Sequence, residues 1–370
     1  MGAPMGLEEQ IGKVRSEIRT DAYQMSIGEW LSLYESGEID IHPEFQRFFR
    51  WDLEQKTRLI ESILLGIPIP PIFVSQREDG VWDVVDGLQR LSTIYEFAGI
   101  LKGEDGETLP QLKLEGTDYL PALCGKEWEN GSAPELALSQ DQRLLIKRSK
   151  IGVSIILRES DERAKFELFQ RLNTGGSSLT QQEVRNCILV MVNRDMYLWL
   201  RELASYEPFQ DCIALSERPL AEQYDMELAL RFLLFALIDV ESLKGIRDVG
   251  DFLTDKMILM ARDESFDRDE AARRFRETFR RLSEAAGDDT FVRFVADRER
   301  FMGGFIVSAF EVIAFGVGYN VDRAPEADEL RTRIKNLWSN HEYRDASGSG
   351  FTASRRLPRL IPLGRTLFAE

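Results

Sequence analysis

Asp86-Gly87-Leu88-Gln89-Arg90 place a carboxylate, an amide and a guanidinium within one turn's reach of a glycine. That set suits phosphate chemistry. A glycine lets a ligand approach the backbone, because it has no Cβ. Arg90 stays charged and can grip a phosphate through two N–H groups. Asp86 is a candidate base or Mg2+ ligand, and Gln89 a candidate for orienting an attacking water, as phosphoryl-transfer sites divide these tasks. The residues alone leave a second reading open, in which Arg90 pairs with a buried carboxylate such as Asp86 and only fixes the corner.

The elements around the pentapeptide would position it. Val81-Trp82-Asp83-Val84-Val85 reads as a strand, and Leu91 to Ala98 has helical spacing and ends at Gly99. A strand, a glycine turn and a helix start bring unpaired N–H groups and a positive dipole end to one spot. Upstream, Ile41-His42-Pro43-Glu44-Phe45-Gln46-Arg47 leads to Trp51 and then to Asp52, which caps a helix with Gln55 three residues on. That helix carries Leu59, Ile60, Ile63 and Leu64 and stops at Gly66, before Ile67-Pro68-Ile69-Pro70-Pro71-Ile72-Phe73-Val74.

This order, P-x-F-Q-R, then L-I-x-S-I-x-x-G-x-P-I-P, then D-G-x-Q-R, resembles the N-terminal domain of the GmrSD-type restriction proteins. That family has a DGQQR motif and a fold related to ParB and sulfiredoxin. Leu88 stands where the family usually has Gln, whereas Asp86, Gly87, Gln89 and Arg90 are retained. Phe166 to Thr180 is similar to the family's F-x-x-(I/L)-N-x-x-G-x-x-L segment, with Glu183 and Asn186 at its E-x-x-N positions. Ser347 to Thr352, followed by Arg355 and Arg356, looks like its closing glycine-rich turn and basic helix. The resemblance implies a site in which Asp86, Gln89 and Arg90 are catalytic, with Mg2+ and an NTP as cofactors. Gln46, Arg47, Gly87 and Asn173 would line it, and Gly175-Gly176 would add an anion-binding nest. It also implies nucleotide-dependent control of DNA cleavage, with the nuclease often in a separate HNH-bearing domain or subunit.

Composition narrows the classes. The 370 residues are 43% hydrophobic, enough for two cores, and no run is apolar and long enough for a transmembrane helix. The first residues are followed by no apolar stretch of a secretory signal. Three scattered cysteines, Cys124, Cys187 and Cys212, fit a reducing cytoplasm better than a disulfide framework. His42 and His341 are the only histidines, too few for an HNH unit, a zinc cluster or a Ser-His-Asp arrangement. No Walker A sequence occurs. A formal net charge of −16 argues against a chain that coats DNA through its overall field. A local basic groove is still expected from Arg47, Arg50, Lys56, Arg58 and Arg90, from Lys147, Arg148 and Lys150, or from Arg355, Arg356, Arg359 and Arg365.

The fold expected is α+β. Residues 1–24 form a lead or one short helix. Residues 25–190 form a ParB/sulfiredoxin-like mixed α/β domain with a loop-rich insertion at 100–138. Residues 191–370 form an all-α domain with helices over 194–204, 221–239, 247–262, 268–286, 301–316 and 325–339. Three functions are compatible with this pattern. The first is a nucleotide-binding, NTP-hydrolysing subunit of a prokaryotic anti-phage restriction system, working with DNA and an HNH-nuclease partner. The second is a non-enzymatic DNA-binding module, with the helical half as reader or homo-oligomer surface. The third is a stand-alone nickase that uses Asp86.

Overall fold

Ser26 ends one element and opens the next. In the computed structural model, which describes residues 6, 19–41, 51–103, 105–160, 180–243, 245–348 and 350–369, it is the last residue of strand β1 (Thr20–Ser26) and the N-cap of helix α1 (Ile27–Glu35). Its hydroxyl accepts from the Glu29 amide, and the Glu29 carboxylate accepts from the Ser26 amide at 2.7 Å, a reciprocal capping box. The chain divides into two compact units, Met1–Leu179 and Thr180–Glu370.

The first unit is built on a five-stranded mixed sheet in the order β1-β5-β3-β4-β2. Its other strands are β2 (Ile39–Asp40), β3 (Ile72–Gln76), β4 (Trp82–Asp86) and β5 (Lys150–Ile156). β3 and β4 form an antiparallel hairpin, and β3 runs parallel to β5. β1 corrects the expectation of a loose or helical lead: it pairs antiparallel with β5 from Thr20↔Ile156 to Ser26↔Lys150. As an edge strand it leaves its first five residues exposed, so it carries no apolar alternation to read.

Two helices bracket the hairpin. α2 (Leu53–Leu65) has the Asp52/Gln55 capping box and ends at Gly66, whose φ of 71° is left-handed. α3 (Leu88–Ala98) follows β4 directly and ends at Gly99. A Lys56–Glu96 ion pair of 2.6 Å pins the two helices together. Ile60, Ile72, Val74, Leu91, Tyr95 and Trp30 are core residues, and the Tyr95 hydroxyl donates to the Trp30 carbonyl at 3.2 Å. On the sheet, Arg77 joins three strands: its guanidinium donates to Asp83 on β4 at 2.7 Å and to Asp40 on β2 at 2.7 Å. Burial alone would push the Arg77 pKa down, but the two carboxylates outweigh it and hold the group firmly charged.

Residues 100–138 have little regular structure, yet Leu112, Leu114, Leu123, Trp128 and Leu138 anchor them in the core. Helix α4 (Gln140–Arg148) follows, capped by a Ser139/Gln142 box; its low apolar content hides it from a periodicity reading.

The second unit is mainly helical. It begins with α5 (Gln181–Val192) and α6 (Arg194–Ala204), then the short α7 (Glu207–Ile213) and α8 (Glu217–Ala221). α9 (Tyr224–Phe235), α10 (Val249–Arg262) and α11 (Arg268–Ala286) come next. It closes with α12 (Val307–Tyr319), α13 (Ala327–Leu337), α14 (His341–Ser347) and α15 (Ala353–Leu367). Its core is aromatic: Phe209 packs on Phe279 at 4.7 Å between ring centroids, and Phe275 on Phe279 at 4.6 Å. The all-α expectation is corrected by one ribbon, β6 (Arg293–Val295) paired antiparallel with β7 (Arg300–Met302). It displaces the start of the helix expected over 301–316 to Val307, because Gly303, with φ of 108°, breaks the chain after β7. No helix among the described residues is long and apolar enough to cross a membrane.

Candidate functional site

β4 ends at Asp86 and α3 starts at Leu88, so Gly87 alone makes the corner. Its φ is 96°, a left-handed value that favours glycine. A second constraint is steric: a Cβ here would stand 2.3 Å from Ile72 Cδ1 and 3.2 Å from Arg90 Nη2. Gly87→Ala is therefore expected to destabilise the first unit by more than about 2 kcal/mol, through strain and overpacking together. Adding Ile72→Val, which removes the clashing methyl group, should return part of that loss in a denaturant titration. No recovery would place the cost in the backbone alone.

Gly87 caps α3 without a side-chain hydrogen bond, so the amides of the first turn have no capping oxygen from that residue. Arg90 sits in the first turn of the helix with its side chain 11% exposed. Nη2 donates to Asp86 Oδ2 at 2.7 Å, and Nη1 donates to the carbonyl oxygens of Pro70 and Pro71, the latter at 3.0 Å. One guanidinium thus ties the end of β4 to the proline-stiffened entry of β3. Asp86 keeps a third of its side chain exposed. Gln89 Oε1 accepts from the Trp51 amide at 3.0 Å, which joins the motif to the segment entering α2. Leu88 is buried.

Four of the expected site residues, Asp86, Gly87, Gln89 and Arg90, therefore meet at one corner. Gln46, Arg47, Asn173, Gly175 and Gly176 lie outside the described residues, as do His42 and the rest of the segment from Phe166 to Leu179. The Pro70 and Pro71 carbonyls and the Trp51 amide were not among the expected partners. They are backbone atoms, which side-chain chemistry does not flag. Among the described residues no group of three or more His, Cys, Asp or Glu is gathered as a metal site.

The expected basic grooves look different in three dimensions. Lys56 is paired with Glu96, Arg58 with Glu54 at 2.6 Å, and Arg90 with Asp86. Lys147 lies over the Trp128 ring, and Arg359 over that of Phe351. Arg365 lies over the Tyr319 ring and donates to the carbonyls of Ala236 and Ile238.

The other motif residues do structural work in the second unit. Glu183 completes a capping box with Thr180 at the start of α5. Asn186, fully buried, accepts from Gln182 at 2.7 Å. Arg185, Glu227, Arg231, Glu311 and Arg356 form a buried chain of alternating charge that crosses α5, α9, α12 and α15. Arg356 grips Glu311 through two bonds of 2.6 and 2.8 Å. Burial pushes the Arg185 pKa down, opposed by Glu227. Burial likewise pushes the neighbouring Tyr224 up to about 12.

Comparison with known proteins bears on the first unit. No curated protein and no solved structure matches the chain. A protein family does: the one described as GmrSD restriction endonuclease, N-terminal domain, over residues 27–190. That span contains the capped α1, the whole hairpin, the Asp86–Arg90 corner and the first ten residues of α5. With the D-G-x-Q-R corner formed in three dimensions and the match running across it, residues 27–190 of this chain are similar to the GmrSD N-terminal domain.

Proposed function

We propose that the first unit binds a nucleoside triphosphate at the Asp86–Arg90 corner and hydrolyses it, and that this controls cleavage of foreign or modified DNA by a partner nuclease in restriction defence. One observation carries the reading: a guanidinium and a carboxylate lie 2.7 Å apart beside a glycine-capped helix start, inside the span similar to the GmrSD N-terminal domain. The mixed five-stranded sheet with its strand–glycine–helix corner supports a ParB-like relationship.

The residues divide the work as follows. Arg90 exchanges its Asp86 contact for phosphate oxygens when the nucleotide arrives, which releases the carboxylate toward the attacking water. Gly87 admits the phosphates to the first-turn amides. Gln89 accepts from the Trp51 amide and so holds the start of the α2 segment against the corner. Asp86 is a single, part-exposed carboxylate, a donor set that fits Mg2+ carried in by the phosphates and not an all-protein cage. Mg2+ bound there would neutralise charge on the phosphate oxygens.

Incubating the protein with each NTP and Mg2+ and measuring released phosphate is the direct test. Turnover of at least one NTP is expected; no turnover and no binding would sink the reading. The same ion pair favours one alternative, a non-enzymatic DNA-binding regulator in which Arg90 is a structural staple, since its guanidinium already has three internal acceptors.

A further inference from the structure

The helical unit is rich in arginine, and much of it, above all on α11, is paired with neighbouring acids. Along α11, Arg273 and Arg274 pair with Glu270, Arg276 with Glu202, Arg280 with Glu277 and Glu284, and Arg281 with Glu277. On α13, Arg333 pairs with Glu329. The β6–β7 ribbon breaks this pattern. Arg293 and Arg300 are exposed and make no ion pair with any described residue. Arg298, at the tip, makes a 3.7 Å contact to the Met302 sulfur and no ion pair among the described residues.

The register sorts the ribbon's faces. Phe294 opposes Phe301, while Arg293 opposes Met302 and Val295 opposes Arg300. Side chains of opposed residues share a face, and successive residues alternate. The two phenylalanines therefore form the inner face. Their rings meet at 5.1 Å and lie under two cations of α13, Arg331 over Phe301 and Lys335 over Phe294. Arg293 and Arg300 share the outer face as diagonal neighbours, roughly 7–8 Å apart at the backbone. The inner rings fix the ribbon on α13, so the outer arginines are presented on a rigid base. Asp297 and Glu299 at the tip reduce the ribbon's own charge, which sets its orientation: the strand face, not the tip, meets the ligand.

We infer that the outer face of this ribbon is a DNA-backbone contact, with Arg293 and Arg300 each holding one phosphate of a duplex. Arginine without an acidic partner retains its full attraction for phosphate, and its fork matches phosphate geometry. In a chain of net charge −16, such a face must act locally, and a phosphate backbone is the polyanion that rewards two neighbouring cations. The inference rests on the proposal that the protein acts on DNA and adds the residues that touch it.

The test is binding of a fluorescein-labelled duplex of mixed sequence across a salt series, followed by anisotropy. The double variant Arg293→Gln/Arg300→Gln should bind more weakly, with the slope of log affinity against log salt shallower by about 1.8. Arg293→Lys/Arg300→Lys should keep the wild-type slope. Arg273→Gln/Arg280→Gln, on the ion-paired face of α11, should keep it too. An unchanged slope in the Gln variant, an equal loss in the α11 control, or no binding by the wild type would overturn the inference. Phosphate release from NTP, measured on the same variants without DNA, separates the two ideas. Turnover with an uninvolved ribbon sinks only the ribbon; ribbon-dependent binding without any turnover sinks only the nucleotide site.

Discussion

Glu311→Ala is expected to destabilise the second unit by about 3–5 kcal/mol, the range for removing one partner of a buried ion pair. Glu311 is fully buried, and the substitution strands the guanidinium of Arg356 and weakens the hold on Arg231. The loss comes from orphaned charge more than from the worth of the pair. Glu311→Met with Arg356→Met should therefore recover most of it, since an apolar pair of similar volume needs no hydration. Urea unfolding monitored by tryptophan fluorescence reads both variants. A loss under about 1 kcal/mol for Glu311→Ala would show that water reaches the pair.

The second large effect separates chemistry from scaffolding at the corner. Asp86→Asn preserves an acceptor for Arg90 but removes the negative charge. It should lower NTP turnover by about 100-fold or more, while the melting temperature moves little. Arg90→Ala should abolish turnover and also destabilise the first unit by about 2–4 kcal/mol, because the Pro70 and Pro71 carbonyls lose a charged donor. Parallel phosphate-release and thermal-unfolding measurements distinguish the two. If Asp86→Asn turns over NTP at the wild-type rate, Asp86 is a structural partner of Arg90 and the catalytic assignment falls.

That pairing shows where the sequence was legible and where it was not. The strand, glycine and helix around residues 81–99 could be read because β-branched residues, a glycine and an amphipathic repeat are local signals. The helices at 194–204 and 268–286 were equally plain from periodicity, and the structure has them at the same residues. β1 could not be read, because its pairing with β5 depends on residues some 130 positions away and its first five side chains face water. The ribbon at 293–302 was masked by Phe301 and Phe305, which fit a helical repeat until Gly303 is placed. The structural share of Arg90 was not legible in full, because the Pro70 and Pro71 carbonyls it holds are backbone atoms that residue chemistry does not flag. The burial of Leu88 likewise explains how an apolar residue sits inside a polar motif: its side chain belongs to the core and not to the mouth of the corner.

The buried chain of alternating charge also imposes a timetable on synthesis. Arg185 leaves the ribosome early in the second unit, whereas Arg356, which neutralises Glu311, is made 171 residues later. At about 5–20 residues per second, that interval is roughly 10–35 s. Over its last 45 residues, from Glu311 to Arg356, a carboxylate destined for the interior has only the Arg231 guanidinium to meet, 3.5 Å away in the finished fold, and the helices around it would have to close before its nearer partner exists. The first unit, whose sheet is complete by Ile156, has no such wait. The nascent protein thus spends this period as a finished domain trailing an unfinished one, a form in which Phe275, Phe279 and Phe310 are open to chaperones.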